Sequence, residues 1–157
     1  MDLDSIDFQL LAALQEDGQT NNRSLAAKVA LSPSTTLGRI RRLFREGYIR
    51  RVTAILNPEK LAMDLLAFLL IDVDYVTAKD TLVAELAKME EVQEIHTITG
   101  DAFFLVKLRT AGRAELNDLI SSIAMLPGVR STRTMIGIAT FKESTALRLP
   151  AAPPADG

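Results

Sequence analysis

The segment Arg23–Gly47, RSLAAKVALSPSTTLGRIRRLFREG, is the part of the chain with the fewest folding options. Ser32–Pro33 divides it, and both residues favour the start of a helix: serine caps, and proline loses no needed N–H at the first helical position. The spacing therefore predicts two short helices joined by a tight turn. The first runs from about Arg23 to Ala30, with Asn22 as N-cap and Leu25, Ala26 and Val29 as its apolar stripe. The second begins at Pro33 and stops near Glu46, where Gly47 can take the left-handed conformation that closes a helix. At the helical repeat, Thr36, Leu37, Ile40, Leu43 and Phe44 share one side of it. Ser34, Thr35, Gly38, Arg42 and Arg45 share the other, with Arg39 and Arg41 on the flanks. One face is core. The other is small, hydroxylated and basic, the build of a helix that enters a DNA major groove.

Two short helices cannot bury both of their apolar faces alone, so a third element must pack behind them. MDLDSIDFQLLAALQEDG supplies it: Ile6, Leu10, Ala13 and Leu14 recur at helical spacing, with Leu3 just ahead. Asp4 or Ser5 caps its start, Asp7 suits the positive helix end, and Gly18 ends it. Beyond the arginine-rich helix, YIRRVTAILN is rich in β-branched residues and reads as a strand or small hairpin. Such a ribbon is a wing, and it would bring Arg50 and Arg51 near the phosphates. Residues 1–53 are thus expected to form a winged helix-turn-helix domain, and residues 54–64 a linker. Asn57–Pro58 repeats the cap-then-proline pattern and starts a short helix through Leu61.

The second half has a different rhythm. LLAFLLIDVDY reads as a strand buried on both faces. Thr77–Met89 follows as an amphipathic helix with Leu82, Val83, Leu86 and Met89 inward, and then VQEIHTITG and FFLVKLRT as two strands. Arg113–Leu126 is a helix with Leu116, Leu119, Ile120, Ile123 and Ala124 inward, stopped by Pro127–Gly128, and VRSTRTMIGIATF is the last strand. The order β-α-β-β-α-β over residues 65–147 is the ferredoxin-like plan. The fold class is therefore α+β. One face of such a sheet carries both helices, and the other must be covered or remain an apolar patch that implies oligomerisation. PAAPPADG, within residues 148–157, reads as a disordered tail.

Net charge is −2, an unpromising balance for a nucleic-acid binder until it is divided along the chain. Met1–Pro58 holds eight Lys/Arg against six Asp/Glu, a balance of +2, and the remainder holds ten against fourteen, a balance of −4. Between Ser32 and Val52 six arginines face the single acid Glu46, a local +5 on an acidic protein. The chain has no cysteine and one histidine, which excludes disulfides, thiolate zinc sites, a cysteine nucleophile and a His-rich metal site. No apolar run approaches the roughly 20 residues needed to span a bilayer, and no basic start followed by an apolar region suggests a signal peptide. The expected setting is cytoplasmic, with no membrane partner and no cofactor.

The motifs, in this order and spacing, resemble the leucine-responsive/AsnC regulators of bacteria and archaea. The resemblance runs from about Asp2 to Leu147. It rests on DLDSIDFQLLAALQEDGQ, LSPSTTLGRIRRLFREGYI, the TAILNP that follows, VQEIHTITGDAFFLVKLR and LPGVRSTRT. It implies a transcriptional regulator whose second domain forms homodimers that assemble further, to tetramers or octamer-like discs. It also implies amino-acid effectors that bind between the second domains of neighbouring dimers.

Site residues follow. Ser34, Thr35, Arg39 and Arg42 are candidates to read base edges of double-stranded DNA, and Arg41, Arg45, Arg50 and Arg51 to hold phosphates. Gly38 costs a helix roughly 1 kcal/mol relative to alanine, and reads equally as room for close approach to DNA or as a tolerated residue. In TITGDAFF, Gly100 permits a turn that larger residues resist, and the backbone amides of Gly100, Asp101 and Ala102 can cradle a carboxylate. The resemblance places the effector-facing loop here, from Thr99, with Thr132 and Thr134 of the last strand nearby. A frequent family form of this loop is G-D-x-D, and this chain departs from it with Gly100, Asp101, Ala102 and Phe103. The segment reads equally as a hairpin turn packed by two phenylalanines. His96 reads as a local hydrogen-bonding group, and Asp72 and Asp74 as a solvated strand end without a nucleophile or base beside them. The functions left open are an effector-tuned regulator, an architectural DNA wrapper with little effector response, and, with no catalytic set to support it, a small enzyme or interaction module.

Overall fold

Cap chemistry sets the helices of the N-terminal half. The computed structural model describes residues 3–74 and 79–150. Residues up to Ile55, together with a stretch beginning at Ser144, form one compact unit, and Leu56–Glu143 a second. In the first unit α1 spans Ser5–Glu16, α2 Asn22–Lys28 and α3 Pro33–Arg45. Asp4 caps α1 in a reciprocal box: its Oδ1 accepts from the Asp7 N–H at 2.9 Å, and Asp7 Oδ2 accepts from the Asp4 N–H at 3.1 Å. Ser32 caps α3 by accepting from the Thr35 N–H at 3.1 Å, Pro33 opens the helix, and Gly47 sits at φ +79°.

Three local expectations give way. The α2 cap is Asn21, whose Oδ1 accepts from the Ser24 N–H at 2.9 Å, and not Asn22, whose Nδ2 instead donates to the Pro33 carbonyl at 2.8 Å. The helix stops at Lys28, because Ala30 takes the left-handed turn conformation at φ +53°. Gly18 follows the end of α1 and is needed for close approach: a Cβ there would lie 2.8 Å from Val52 Cγ1. The YIRRVTAILN segment forms no strand, and Val52, Ile55 and Leu56 are exposed. β-branched residues favour a pleated surface only when a partner strand is present, and there is none among the described residues of this unit. Past it, Asn57 Oδ1 accepts from the Glu59 N–H at 3.0 Å, and Glu59–Leu61 makes a single 3-10 turn.

The core of this unit gathers Leu3, Phe8, Leu10, Ala13, Leu25, Val29 and Leu43, with Leu149 packed against it. Leu149 comes from the far end of the chain, in the stretch read from sequence as a tail. Gln15 holds that stretch by its main chain: the Gln15 Nε2 donates to the Leu147 carbonyl at 2.8 Å, and the Leu147 N–H donates to Gln15 Oε1 at 2.8 Å. Residues 151–157 of the expected tail lie outside the described residues, as does the expected helix start at Thr77.

The second unit is β1 (Leu65–Val73), α4 (Lys79–Leu86), β2 (Val92–Thr97), β3 (Phe104–Thr110), α5 (Arg113–Ala124) and β4 (Val129–Ile136). The sheet order is β2-β3-β1-β4 and every pairing is antiparallel, the ferredoxin-like arrangement. Ala67, Leu69, Ile71, Phe104, Val106 and Leu108 meet Leu82, Leu86, Leu116, Leu119 and Ile123 of the two helices in one core. Ala124 is exposed, not inward, because α5 ends there. The last strand also ends early, at Ile136. Gly137 donates its N–H to the Leu66 carbonyl at 2.8 Å, and a Cβ on it would press to 3.2 Å from Leu66 Cδ2.

The sheet face away from the helices carries Leu66, Phe68 and Leu70 with a charge network. Lys107 pairs with Glu94 at 3.3 Å and with Glu143, and Arg109 pairs with Glu143 at 3.0 Å. The Lys107 hydrogen bond draws the Glu143 carboxyl below its ordinary range against the opposing effect of burial, and the nearby Lys107 and Arg109 charges add to the lowering. His96 lowers Glu94 in the same way, again against burial, with Lys107 adding to the effect.

Two outcomes follow for stability. Leu149→Ala removes a half-buried leucine and is expected to destabilise the N-terminal unit by about 1–2 kcal/mol, less than a fully buried leucine would cost. Denaturant titration followed by far-UV circular dichroism reads this directly. Carboxyls with lowered values stabilise the fold above the unfolded value, about 4.3 for glutamate, and lose that contribution as pH falls through the folded value. Glu143→Gln is therefore expected to melt below the parent at neutral pH, with the difference closing as pH falls below about 4.

Candidate nucleic-acid interface and effector loop

The α3 helix presents its residues in three groups. Its buried side is centred between Thr36 and Leu43, both fully buried, and Thr36 Oγ1 is satisfied by donating to the Ser32 carbonyl at 3.0 Å. Leu37 and Phe44, expected in the core, are instead more than a third exposed, at 37% and 40%. Ser34, Thr35, Gly38, Arg41 and Arg45 are exposed on the far side. The Ser32 hydroxyl shares hydrogen bonds with Ser34 Oγ at 3.0 Å and Thr35 Oγ1 at 2.8 Å, a hydroxyl cluster at the helix start. A Cβ on Gly38 would meet nothing within 4 Å, so no packing within the chain requires the glycine. Arg41, Arg50 and Arg51 make no ion pair among the described residues, and Arg45 reaches only Glu46, at 3.7 Å.

Arg42, expected among the outward group, and Arg39, expected on the flank, turn toward α1. The Asp7 carboxylate is 1% exposed. It accepts from Arg39 Nη1 at 3.0 Å and from Arg42 Nη2, while Arg39 Nη1 also reaches Asp4 Oδ2 at 2.6 Å. Arg42 Nε is buried without a hydrogen-bond partner, 3.9 Å from Glu46 Oε2, while the side chain as a whole is 31% exposed. Asp4 is lowered: partial burial opposes its ionisation, but the Asp7 N–H and Arg39 outweigh it. Arg39 is raised by its hydrogen bond to Asp4, against burial, with a further contribution from Asp7. Helical periodicity could not place these arginines, because a carboxylate on another helix moved the buried side round toward them. The available signal was the pairing of Asp4 and Asp7, three apart, at a helix start.

In the second unit the loop after β2 turns at Gly100, φ +115°, a conformation other residues adopt at a cost. The Ile98 N–H donates to the Phe103 carbonyl and the Phe103 N–H to the Ile71 carbonyl, each at 3.0 Å. Ala102 is buried and Phe103 meets Phe104 edge-on at 4.8 Å between ring centroids, so the accessible part of the loop is Thr99, Gly100 and Asp101. Strand register sets Phe104 opposite Ile71 and Ile71 opposite Thr132, with Thr134 opposite Leu69. Loop and threonines therefore share one end of the sheet. His96 bonds locally, its Nε2 lying 3.0 Å from Glu94 Oε2. Among the described residues there is no cluster of His, Asp or Glu able to hold a metal ion, and no helix long and apolar enough to cross a membrane.

Known proteins match both units. Residues 3–50 match the winged helix-turn-helix DNA-binding family model, and residues 66–147 the Lrp/AsnC ligand binding domain. An HTH-type transcriptional regulator of Pyrococcus abyssi is 41% identical over 145 residues, covering 92% of this chain and 95% of that protein. The leucine-responsive regulatory protein of Escherichia coli is 39% identical over 152 residues, covering 93% and 91%. A feast or famine regulatory protein of Mycobacterium tuberculosis, solved with L-methionine, superposes with a TM-score of 0.87 at 32% identity, over 94% of this chain and 99% of that one. A transcriptional regulator of Neisseria meningitidis, solved with L-Met, superposes with a TM-score of 0.85 at 29% identity, over 93% and 96%. The relatives are regulators of transcription, and with a DNA-binding domain and a ligand-binding domain matched in order along one chain, this protein belongs to the Lrp/AsnC family of transcriptional regulators.

Proposed function

We propose that the chain is a cytoplasmic, sequence-specific DNA-binding regulator, not an enzyme, whose oligomeric state or DNA affinity is tuned by an amino acid. The observation that carries this is the joining of an exposed hydroxyl-and-arginine face on α3 to a domain of a ligand-binding family. Ser34, Thr35 and Gly38 approach base edges, where hydroxyls and a side-chain-free position suit close contact. Arg41 and Arg45 hold phosphates, with Arg50 and Arg51 extending the basic track. The active species is a homodimer or a higher assembly of dimers. Paired α3 helices then favour a nearly palindromic operator with half-sites about one helical turn apart, or a multiple of it.

Effector control is linkage: an amino acid that binds one arrangement better shifts the population toward it, and DNA affinity moves with the shift. Two solved relatives hold L-methionine, which supports an amino acid as the ligand class. The proposed site is Thr99, Gly100, Asp101 and Ala102 with Thr132 and Thr134, where loop amides meet the carboxylate. The Phe103 ring, packed on Phe104 where the family pattern has an acid, favours a second reading: DNA binding with little effector response.

Fluorescence anisotropy on DNA from upstream of the protein's own gene, against a scrambled duplex and near 150 mM salt, separates the readings. Non-specific binding is weak there, roughly 10⁻⁴–10⁻⁶ M. The expected result is tighter binding to the upstream duplex that shifts with an amino-acid mixture. Tight binding without a shift supports the second reading, and no binding to either duplex overturns both. Gly100→Val strains a left-handed position and is expected to abolish the shift while sparing DNA binding by the isolated dimer. A normal response from that variant would place the effector elsewhere.

A further inference from the structure

The α3 helix carries Arg39, Arg41, Arg42 and Arg45, and the structure divides them two and two. Arg41 and Arg45 face outward, whereas Arg39 and Arg42 converge on one carboxylate that is 1% exposed. We propose that Asp7 is a positioning residue for DNA recognition: by holding Arg39 and Arg42 it withdraws them from the phosphate contacts and sets the rotation of α3, so that Ser34, Thr35 and Gly38 face the groove. This rests on the reading that α3 is the DNA-contacting helix.

Three observations support it. Asp7 is braced from its own helix as well, because its Oδ2 accepts the Asp4 N–H at 3.1 Å, so the carboxylate cannot follow an arginine that swings away. Arg42 Nε is buried although its side chain is 31% exposed, so an outward rotamer would have to draw that nitrogen out from between Asp7 and Glu46. If both arginines left for phosphates they would strand a buried negative charge, a far larger loss than an exposed ion pair returns, and the departure of either one leaves part of the carboxylate unpaired. Asp4 and Asp7 also change the local field. The +5 of Ser32–Val52 becomes +3 once these two acids are folded against it, and the arginines left for phosphates are Arg41, Arg45, Arg50 and Arg51.

The geometry therefore separates two roles that sequence merges. Outward arginines govern the salt dependence of binding, since each phosphate neutralised contributes about 0.9 to the slope of log affinity against log salt. Latched arginines govern the choice of sequence, since a rotated α3 presents different side chains to the bases.

The test is a salt titration of the full chain on the upstream and scrambled duplexes, with folded content checked by circular dichroism. Arg42→Met is expected to leave the slope unchanged and to lower the preference for the upstream duplex by at least several-fold. Arg41→Met is expected to reduce the slope by about 0.9 for each bound subunit. Asp7→Asn is expected to steepen the slope, because it frees Arg39 and Arg42, and to lower the preference as well. A slope that falls for Arg42→Met as it does for Arg41→Met would overturn the latch, and so would unchanged slope and preference together. Should Arg42→Met fail to fold, Asp7→Asn decides alone: an unchanged or shallower slope rejects the latch. A slope indifferent to Arg41→Met would instead count against the α3 interface itself, whatever Arg42 does.

Discussion

The buried carboxylate of Asp7 is the constraint around which the N-terminal unit is arranged. It closes the capping box of α1, receives Arg39 and Arg42 from α3, and so joins the first and third helices by charge in addition to their shared apolar core. A buried carboxylate is costly unless every lone pair is used. Here two guanidinium groups and a backbone N–H give the two oxygens three hydrogen bonds, out of about four that a carboxylate can accept. Because the partners come from α3, satisfying Asp7 also decides which side of α3 is left for a ligand. Leu37 and Phe44 are half-exposed for the same reason: the helix has turned toward the acids and away from its most apolar line.

Much of this architecture was legible in the chain, and the misses share a cause. Caps and breakers act within four residues, so Ser32–Pro33, Gly47 and Asn57 marked their elements directly. The β-α-β-β-α-β order was readable because Val, Ile and Leu runs alternate with helical stripes. What failed depended on partners distant in sequence. YIRRVTAILN has strand composition but no neighbour to pair with, and Leu149 sits in a proline-rich ending yet packs in a core built more than a hundred residues earlier. Arg42 belongs to this class too, since no period within α3 records an aspartate on α1. Taking Asn22 as the cap was a smaller failure, because the Asn21 side chain reaches the Ser24 N–H while that of Asn22 reaches the Pro33 carbonyl.

The second unit shows the same dependence at its loop. Gly100 and the two phenylalanines were visible as a turn and its packing, but not that Ala102 would be buried or that Thr132 would lie in register with the loop's anchor at Ile71. Register is a property of pairing, and it turns scattered threonines into one end of a sheet. The charge network on the face opposite the helices is likewise a product of alternation: Lys107 and Arg109, two apart on β3, point the same way and meet Glu143 beyond β4.

Glu143 also marks where the chain leaves the ligand-domain fold. From β4, which carries Thr132 and Thr134, the backbone runs through Gly137 and Glu143 to Leu147, whose main chain Gln15 grips on both its N–H and its carbonyl. The N-terminal unit is therefore completed by the far end of the chain, and two covalent connections, not one, link it to the second unit. A single flexible linker transmits little, because its conformational freedom absorbs any displacement. The second connection is anchored by two hydrogen bonds at one end and two ion pairs at the other. The same helix, α1, bears both Gln15 and Asp7, one near each end.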